Sequence, residues 1–152
     1  LAARDASAAA SLLGKTAVAN SKVVYKRFKE LFHGEPFAPL QAKGGNRQRL
    51  LWASTSTKNP DYPPTMYVDE LIGPETVNTM PPVTIDAFRQ QGTVANTLEA
   101  DVAAAEKVLE NLAALGIDLE AITETLQDDG VDSFAAAFAD LLGTIAQKKA
   151  SI

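Results

Sequence analysis

Cysteine is absent from this sequence, which removes disulfides, thiolate metal sites and cysteine nucleophiles from consideration. The single histidine, His33, cannot build a histidine-rich metal site on its own. No run of about 18 apolar residues exists, so no membrane span is expected. The opening Leu-Ala-Ala-Arg-Asp-Ala-Ser-Ala-Ala-Ala lacks the basic start and long apolar centre of a secretory signal, which makes a cytoplasmic location the default expectation. The absence of an initiating Met suggests that Leu1 is not a natural start. Basic residues are also in short supply, 14 against 19 acidic ones for a net charge of −5, and no basic cluster interleaves with aromatics. A nucleic-acid surface is therefore not expected.

The 152 residues suit one domain, and with 46% hydrophobic and 22% charged residues the chain can bury a core. From Lys15 to Phe32, the residues Val18, Val24, Tyr25, Phe28, Leu31 and Phe32 recur at helical spacing, with Lys22, Lys26, Lys29 and Glu30 between them. That pattern predicts an amphipathic helix stopped by Gly34 and Pro36, with His33 as a cationic cap. Residues 35–49 mix prolines and glycines and are expected to form a loop. Leu50 to Ser54 is then a short strand, followed by a loop, since three prolines crowd residues 60–64.

Thr65 is expected to cap a short helix over Met66–Ile72, ended by Gly73-Pro74. Thr76–Met80 forms a second strand, and a helix follows over about Thr84–Gln90. Asn96 and Glu99 have capping-box spacing ahead of a stripe of Leu98, Val102, Ala105, Leu109, Leu112 and Leu115 that runs up to Gly116. Asp118 can cap a short helix with Ile122 and Leu126 that ends near Gly130. A last helix, Asp132–Lys148, carries Phe134, Phe138, Leu141, Leu142 and Ile145.

The run Leu50 to Ala53 ends in four hydroxyl residues and one cation, Lys58. A buried parallel strand delivers polar groups to a site at its carboxyl end in this way. Two such strands, however, leave edges unpaired and faces uncovered.

Five blocks in order, Gly14-Lys-Thr-Ala-Val-Ala-Asn-Ser-Lys, Leu51-Trp-Ala-Ser-Thr with Lys58-Asn-Pro, Tyr67-Val-Asp-Glu-Leu-Ile-Gly-Pro, Thr76-Val-Asn-Thr-Met-Pro and Gly130-Val-Asp-Ser-Phe, give a specific match over nearly the whole chain. Together they resemble the carboxyl-terminal portion of a bacterial transaldolase of the longer-chain type. The resemblance implies an α/β protein, the carboxyl-terminal fragment of a (β/α)₈ TIM barrel, mostly helical here with two short parallel strands. Leu50–Ser54 would be strand seven and Thr76–Met80 strand eight, with the amino-terminal part of the barrel absent. The implied reaction moves a dihydroxyacetone unit from sedoheptulose 7-phosphate to glyceraldehyde 3-phosphate, in the pentose phosphate pathway, with no metal or organic cofactor. A lysine Schiff base on strand four serves as the electron sink, with acidic partners on other early strands. None of those strands is in this sequence, so the chain is expected to be inactive alone and to contain no catalytic residue.

What the resemblance leaves to this chain is part of the phosphate site: Ser54, Thr55 and Lys58, a hydroxyl pair and a cation able to reach one dianion. Lys58 stands where some relatives have Arg, losing the bidentate fork but keeping the charge. Without the resemblance it reads as a solvated loop charge, and this polar loop does not favour it as a Schiff-base nucleophile. If Leu50 and Trp52 face the barrel interior, alternation places Ser54 there ahead of Thr55. Trp52 reads as packing more readily than as a sugar-site wall. Asn78 and Thr79 either line a pocket or satisfy backbone groups at the strand end. Asp69 and Glu70 are adjacent on a helix and do not face one another. Asp128 and Asp129 precede Gly130 in an expected turn, with no further cation ligands at useful spacing. The implied partners are phosphorylated sugars and the missing amino-terminal part of the barrel, and homo-oligomerisation stays open. The rival class is a non-catalytic helical interaction domain, marked by exposed apolar surface.

Overall fold

The computed structural model describes residues 6–151, which divide into two compact units at Asn111 and Leu112. In order, the elements are α1 (Ala6–Leu12), α2 (Thr16–Phe32), α3 (Ala38–Gln41), β1 (Leu50–Trp52), α4 (Met66–Asp69), β2 (Thr76–Asn78), α5 (Pro82–Gln91), α6 (Val102–Ala114) and α7 (Leu119–Ala150). The described chain is thus mostly helical, with two short strands. They pair in parallel, Leu50 with Thr76, Leu51 with Val77 and Trp52 with Asn78. Both therefore end at the same edge of the sheet.

In the first unit, α2 forms where its apolar spacing places it, and Gly14, at a φ of 75° open to glycine, turns the chain into it from α1. Tyr25 and Phe28 are buried and join Trp52, Leu71 and Leu98 in one core cluster, with Val18, Phe32 and Leu50 packed against it. Two details depart from the periodicity. Val24 is exposed. Lys22 is buried instead, its Nζ donating to Ala100 O at 3.2 Å and lying 3.5 Å from Glu70. A long lysine stem can cover apolar surface while its head finds polar partners, so charge alone does not place a residue outside. His33 caps α2 through its backbone N–H to Lys29 O, and its Nε2 meets Glu75 at 2.6 Å.

The expected loop over 35–49 contains α3, started with Pro39 in its first turn, where the missing N–H costs nothing. Both strands are shorter than expected: β1 stops at Trp52 because Ser54 turns into the left-handed region at φ 57°, and β2 stops at Asn78. Thr65 sits at the cap of α4 but makes no cap bond, since its hydroxyl donates to Asp69 Oδ2 at 2.6 Å. This helix ends at Asp69, three residues early. Asn96 and Glu99 do not form a capping box. The N–H groups of Thr97 and Leu98 both donate to Ile72 O, at 3.1 and 3.0 Å, and Thr97 Oγ1 donates to Asp69 O. These tertiary bonds hold the segment against the α4 end and delay α6 to Val102.

Glu99 instead pairs with Lys29 at 2.6 Å and accepts from Asn96 Nδ2 at 2.9 Å. The hydrogen bond from Lys29, then that from Asn96, holds the Glu99 carboxyl below its ordinary range. The same bond holds the Lys29 ammonium above its ordinary range. The sign follows from linkage: the Glu99 contribution is complete above the ordinary carboxylate range and is lost as pH falls through the lowered value. The Lys29 contribution is lost only as pH rises through its raised value. Glu99→Gln is therefore expected to lower stability modestly at neutral pH, with variant and parent converging in acid. Denaturant curves at both pH values check this, and a gap of constant size would contradict it.

In the second unit, Gly116 (φ 71°) closes α6 and Asp118 caps α7, its Oδ1 accepting from Ala121 N at 3.1 Å. The expected break near Gly130 does not occur. A helix-interior glycine costs about 1 kcal/mol, which slows propagation but does not stop it, and no proline follows. Asp128 and Asp129 consequently lie within α7 and not in a turn. No side chain of this 32-residue helix is buried.

Candidate functional site

Leu50 and Trp52 face the helical layer, within or against the core cluster, while Leu51, 54% exposed, faces the other way. The alternation that would carry Ser54 onto the face of Trp52 ends with the strand. The left-handed backbone at Ser54 leaves that side chain exposed and turns Thr55 inward, where it is 3% exposed. Thr55 Oγ1 donates to Asn78 Oδ1 at 2.8 Å and lies 3.4 Å from Thr79 O. Thr79 returns the tie, its N–H donating to Trp52 O at 3.0 Å. The carboxyl ends of β1 and β2 are thus stitched together by side chains one step past the ladder. Thr79 satisfies a backbone group, the Trp52 carbonyl, as the plainer of its two readings has it, whereas Asn78 accepts from the Thr55 side chain.

Beyond this stitch lies a cavity of about 670 Å³. It is lined by Ser54, Thr55, Ser56 and Lys58 from the loop after β1, with Tyr62, Tyr67 and Ser21 among its other walls. All three residues expected from sequence to hold substrate therefore line one cavity. Their states differ. Thr55 is buried and committed to Asn78, Ser54 is exposed, and Lys58 is exposed with its Nζ 2.5 Å from Ser56 Oγ. Among the described residues Lys58 forms no ion pair, so its charge is available to an anion. Trp52 lines the cavity and is also a core residue, and its buried indole N–H meets no acceptor among the described residues.

Ser21 and Tyr67 stand in two of the blocks that carry the resemblance and Tyr62 in none, but no site role was expected of any of the three. Tyr67 is on α4, the crossover helix between the strands, and Ser21 is on α2, so only the packing of these helices over β1 brings them in. Asp69 and Glu70 are occupied separately. Asp69 accepts from Thr65 and from the Thr93 N–H, and Glu70 lies beside Lys22, so the two share no proton chemistry. Among the described residues, no group of three or more His, Asp or Glu is placed to hold a metal ion, and no helix is long and apolar enough to cross a membrane.

Residues 2–145 match the family described as Transaldolase/Fructose-6-phosphate aldolase. The chain belongs to that family. Similar relatives include a transaldolase of Neisseria gonorrhoeae (strain ATCC 700825 / FA 1090), 47% identical over 143 residues, which is 94% of this chain and 41% of the relative. A transaldolase of Trichodesmium erythraeum (strain IMS101) is 44% identical over 137 residues, 89% of this chain and 36% of the relative. One of Frankia alni (strain DSM 45986 / CECT 9034 / ACN14a) is 46% identical over 141 residues, 92% of this chain and 38% of its own length. The chain therefore spans about two fifths of the length of these transaldolases. The transaldolase family implies a TIM barrel, and two parallel strands whose crossover carries a helix fit that architecture.

Proposed function

We propose that this chain supplies the last two strands, the closing helices and part of the phosphate site of a cytoplasmic transaldolase. The observation that carries the reading is the convergence of Ser54, Thr55, Ser56 and Lys58 on one cavity at the shared carboxyl edge of two parallel strands. That edge is where barrel enzymes place their chemistry. The substrates are phosphorylated sugars, and the reaction transfers a dihydroxyacetone unit from sedoheptulose 7-phosphate to glyceraldehyde 3-phosphate. The Schiff-base lysine belongs to the amino-terminal part of the barrel, with which this chain must combine, so the chain alone is inactive. Lys58 supplies charge to the phosphate, and Ser54 and Ser56 supply hydroxyl donors. Thr55 fixes the loop, with Asn78 as its anchor.

Joining the chain to the amino-terminal portion and following triose transfer tests this. A charge-assisted hydrogen bond contributes about 1.5–3 kcal/mol, and 1.4 kcal/mol is tenfold, so Lys58→Ala is expected to raise KM for phosphorylated ketoses roughly 10–100-fold. A KM that stays put would remove Lys58 from the site.

The exposed apolar side chains of α7 favour a second reading, a non-catalytic helical interaction domain. Borohydride trapping with a ketose phosphate separates the two. No adduct forms on this chain in either case, but the joined protein traps only if it is an aldolase-type enzyme.

A further inference from the structure

A second cavity, of about 390 Å³, lies within the first unit, among α2, α4, α6 and the turns beside them. Neither β1 nor β2 contributes a residue to its lining, so further strands attached at the free edges of the sheet would not fill it. Tyr62 lines both this cavity and the one at the strand ends, and its ring is the partition between them. That ring lies against Gly14, where an added Cβ would stand 3.3 Å from Tyr62 Cζ. Glycine thus holds the partition in place twice over, by leaving room for the ring and by accepting a φ of 75°.

The walls select a class of ligand. Val18, Ala19, Met66, Ala105 and Val108 make them mainly apolar, as the walls of small-molecule sites are. The charged residues are Lys15 and Lys22 against Glu70 and Asp101, two cations and two anions, so the lining carries no net formal charge to draw an ion. Lys15, Glu70 and Asp101 are exposed, whereas Lys22 is buried. An ammonium has three protons to donate. Among the described residues that of Lys22 has two acceptors, Ala100 O at 3.2 Å and Glu70 at 3.5 Å, both long for a charged donor. A buried cation short of one acceptor, at the wall of an apolar cavity, is matched by an uncharged ligand that brings a single carbonyl oxygen. An apolar cavity of about 150 Å³ holds benzene, so this one has room for about two fused rings.

We propose that this cavity is a second ligand site, which takes an uncharged, mainly apolar carbonyl compound of two-ring size, with Lys22 donating to the carbonyl oxygen. The site is separate from the phosphate-site reading and does not depend on it.

Amide chemical-shift titration of the 152-residue chain with methyl naphthyl ketone tests it. For a ligand of about 13 non-hydrogen atoms the Kd is expected at about 1 mM or tighter. The shifts should centre on the lining segments, residues 13–22 and 101–108. Lys22→Met keeps an apolar stem but removes the donor, and should weaken binding roughly tenfold. Ala104→Phe, at an exposed position of the cavity wall, should fill the space and abolish binding, with circular dichroism confirming that each variant stays folded. Lys58→Ala, in the cavity at the strand ends, and Phe138→Asp, on α7, should leave the affinity unchanged. Unchanged affinity in Ala104→Phe overturns the site, and unchanged affinity in Lys22→Met overturns the ligand class. Loss of binding in Lys58→Ala would merge the two cavities, loss in Phe138→Asp would move the contact to α7, and either overturns the proposal. So does a chain that shows no shifts up to the solubility limit of the ketone.

Discussion

Replacing Phe28 by Ala is expected to cost about 3–5 kcal/mol, the range for truncating a buried aromatic. Phe28 is 4% exposed and is the hub of the ring contacts in the first unit, with centroids 6.0 Å from Tyr25, 5.4 Å from Phe32 and 5.6 Å from the His33 ring. Its loss removes apolar area and leaves a hole that α2 cannot collapse, because Tyr25 Oη is tied to Pro74 O. Trp52, the sole tryptophan, belongs to the same cluster and reports the unfolding by its fluorescence. A shift of less than about 1 kcal/mol in urea would mean that the cluster does not hold this unit together.

Leu98→Ala is expected to cost about 2–5 kcal/mol, since Leu98 is fully buried, 0% exposed. The wall it presses on is Gly73, where an added Cβ would stand 2.7 Å from Leu98 Cδ2 and 2.8 Å from Leu98 Cβ. Gly73→Ala alone should therefore overpack the contact and cost about 1–3 kcal/mol. The double variant is the decisive measurement. Cutting the leucine back removes the Cδ2 and Cγ contacts but leaves the Leu98 Cβ at 2.8 Å, so the double variant should lose somewhat less than the sum of the two single losses. Strict additivity would show that the two residues do not press on each other.

How far the sequence revealed this arrangement depends on whether the interaction was local. The α2 stripe, the Asp118 cap, the two strands and their order were legible because each rests on spacing within one element. The cavity loop was legible because hydroxyls and a cation follow a short apolar run. What escaped was set by distant partners. Thr97 and Leu98 spend their N–H groups on Ile72, which no capping rule anticipates. Lys22 is buried by a carbonyl 78 residues away. Ser54 departs from alternation through one backbone angle, so the inward hydroxyl is that of Thr55. Gly130 does not stop α7, since in a long helix its cost is spread over many propagating bonds. Tyr62 and Tyr67 enter the cavity only through the packing of the crossover.

The contrast between Thr55 and Lys58 divides labour in the loop after β1. Thr55 is bolted to the neighbouring strand, so its position is fixed before any ligand arrives. Among the described residues Lys58 leans on Ser56, two residues away, and can swing toward an incoming anion without breaking a distant tie. The swing still freezes a side chain that carries about 2 kcal/mol of rotamer entropy. The loop thus joins a fixed post to a movable arm, so that the proposed phosphate contact would form and break without disturbing the tie between the strand ends.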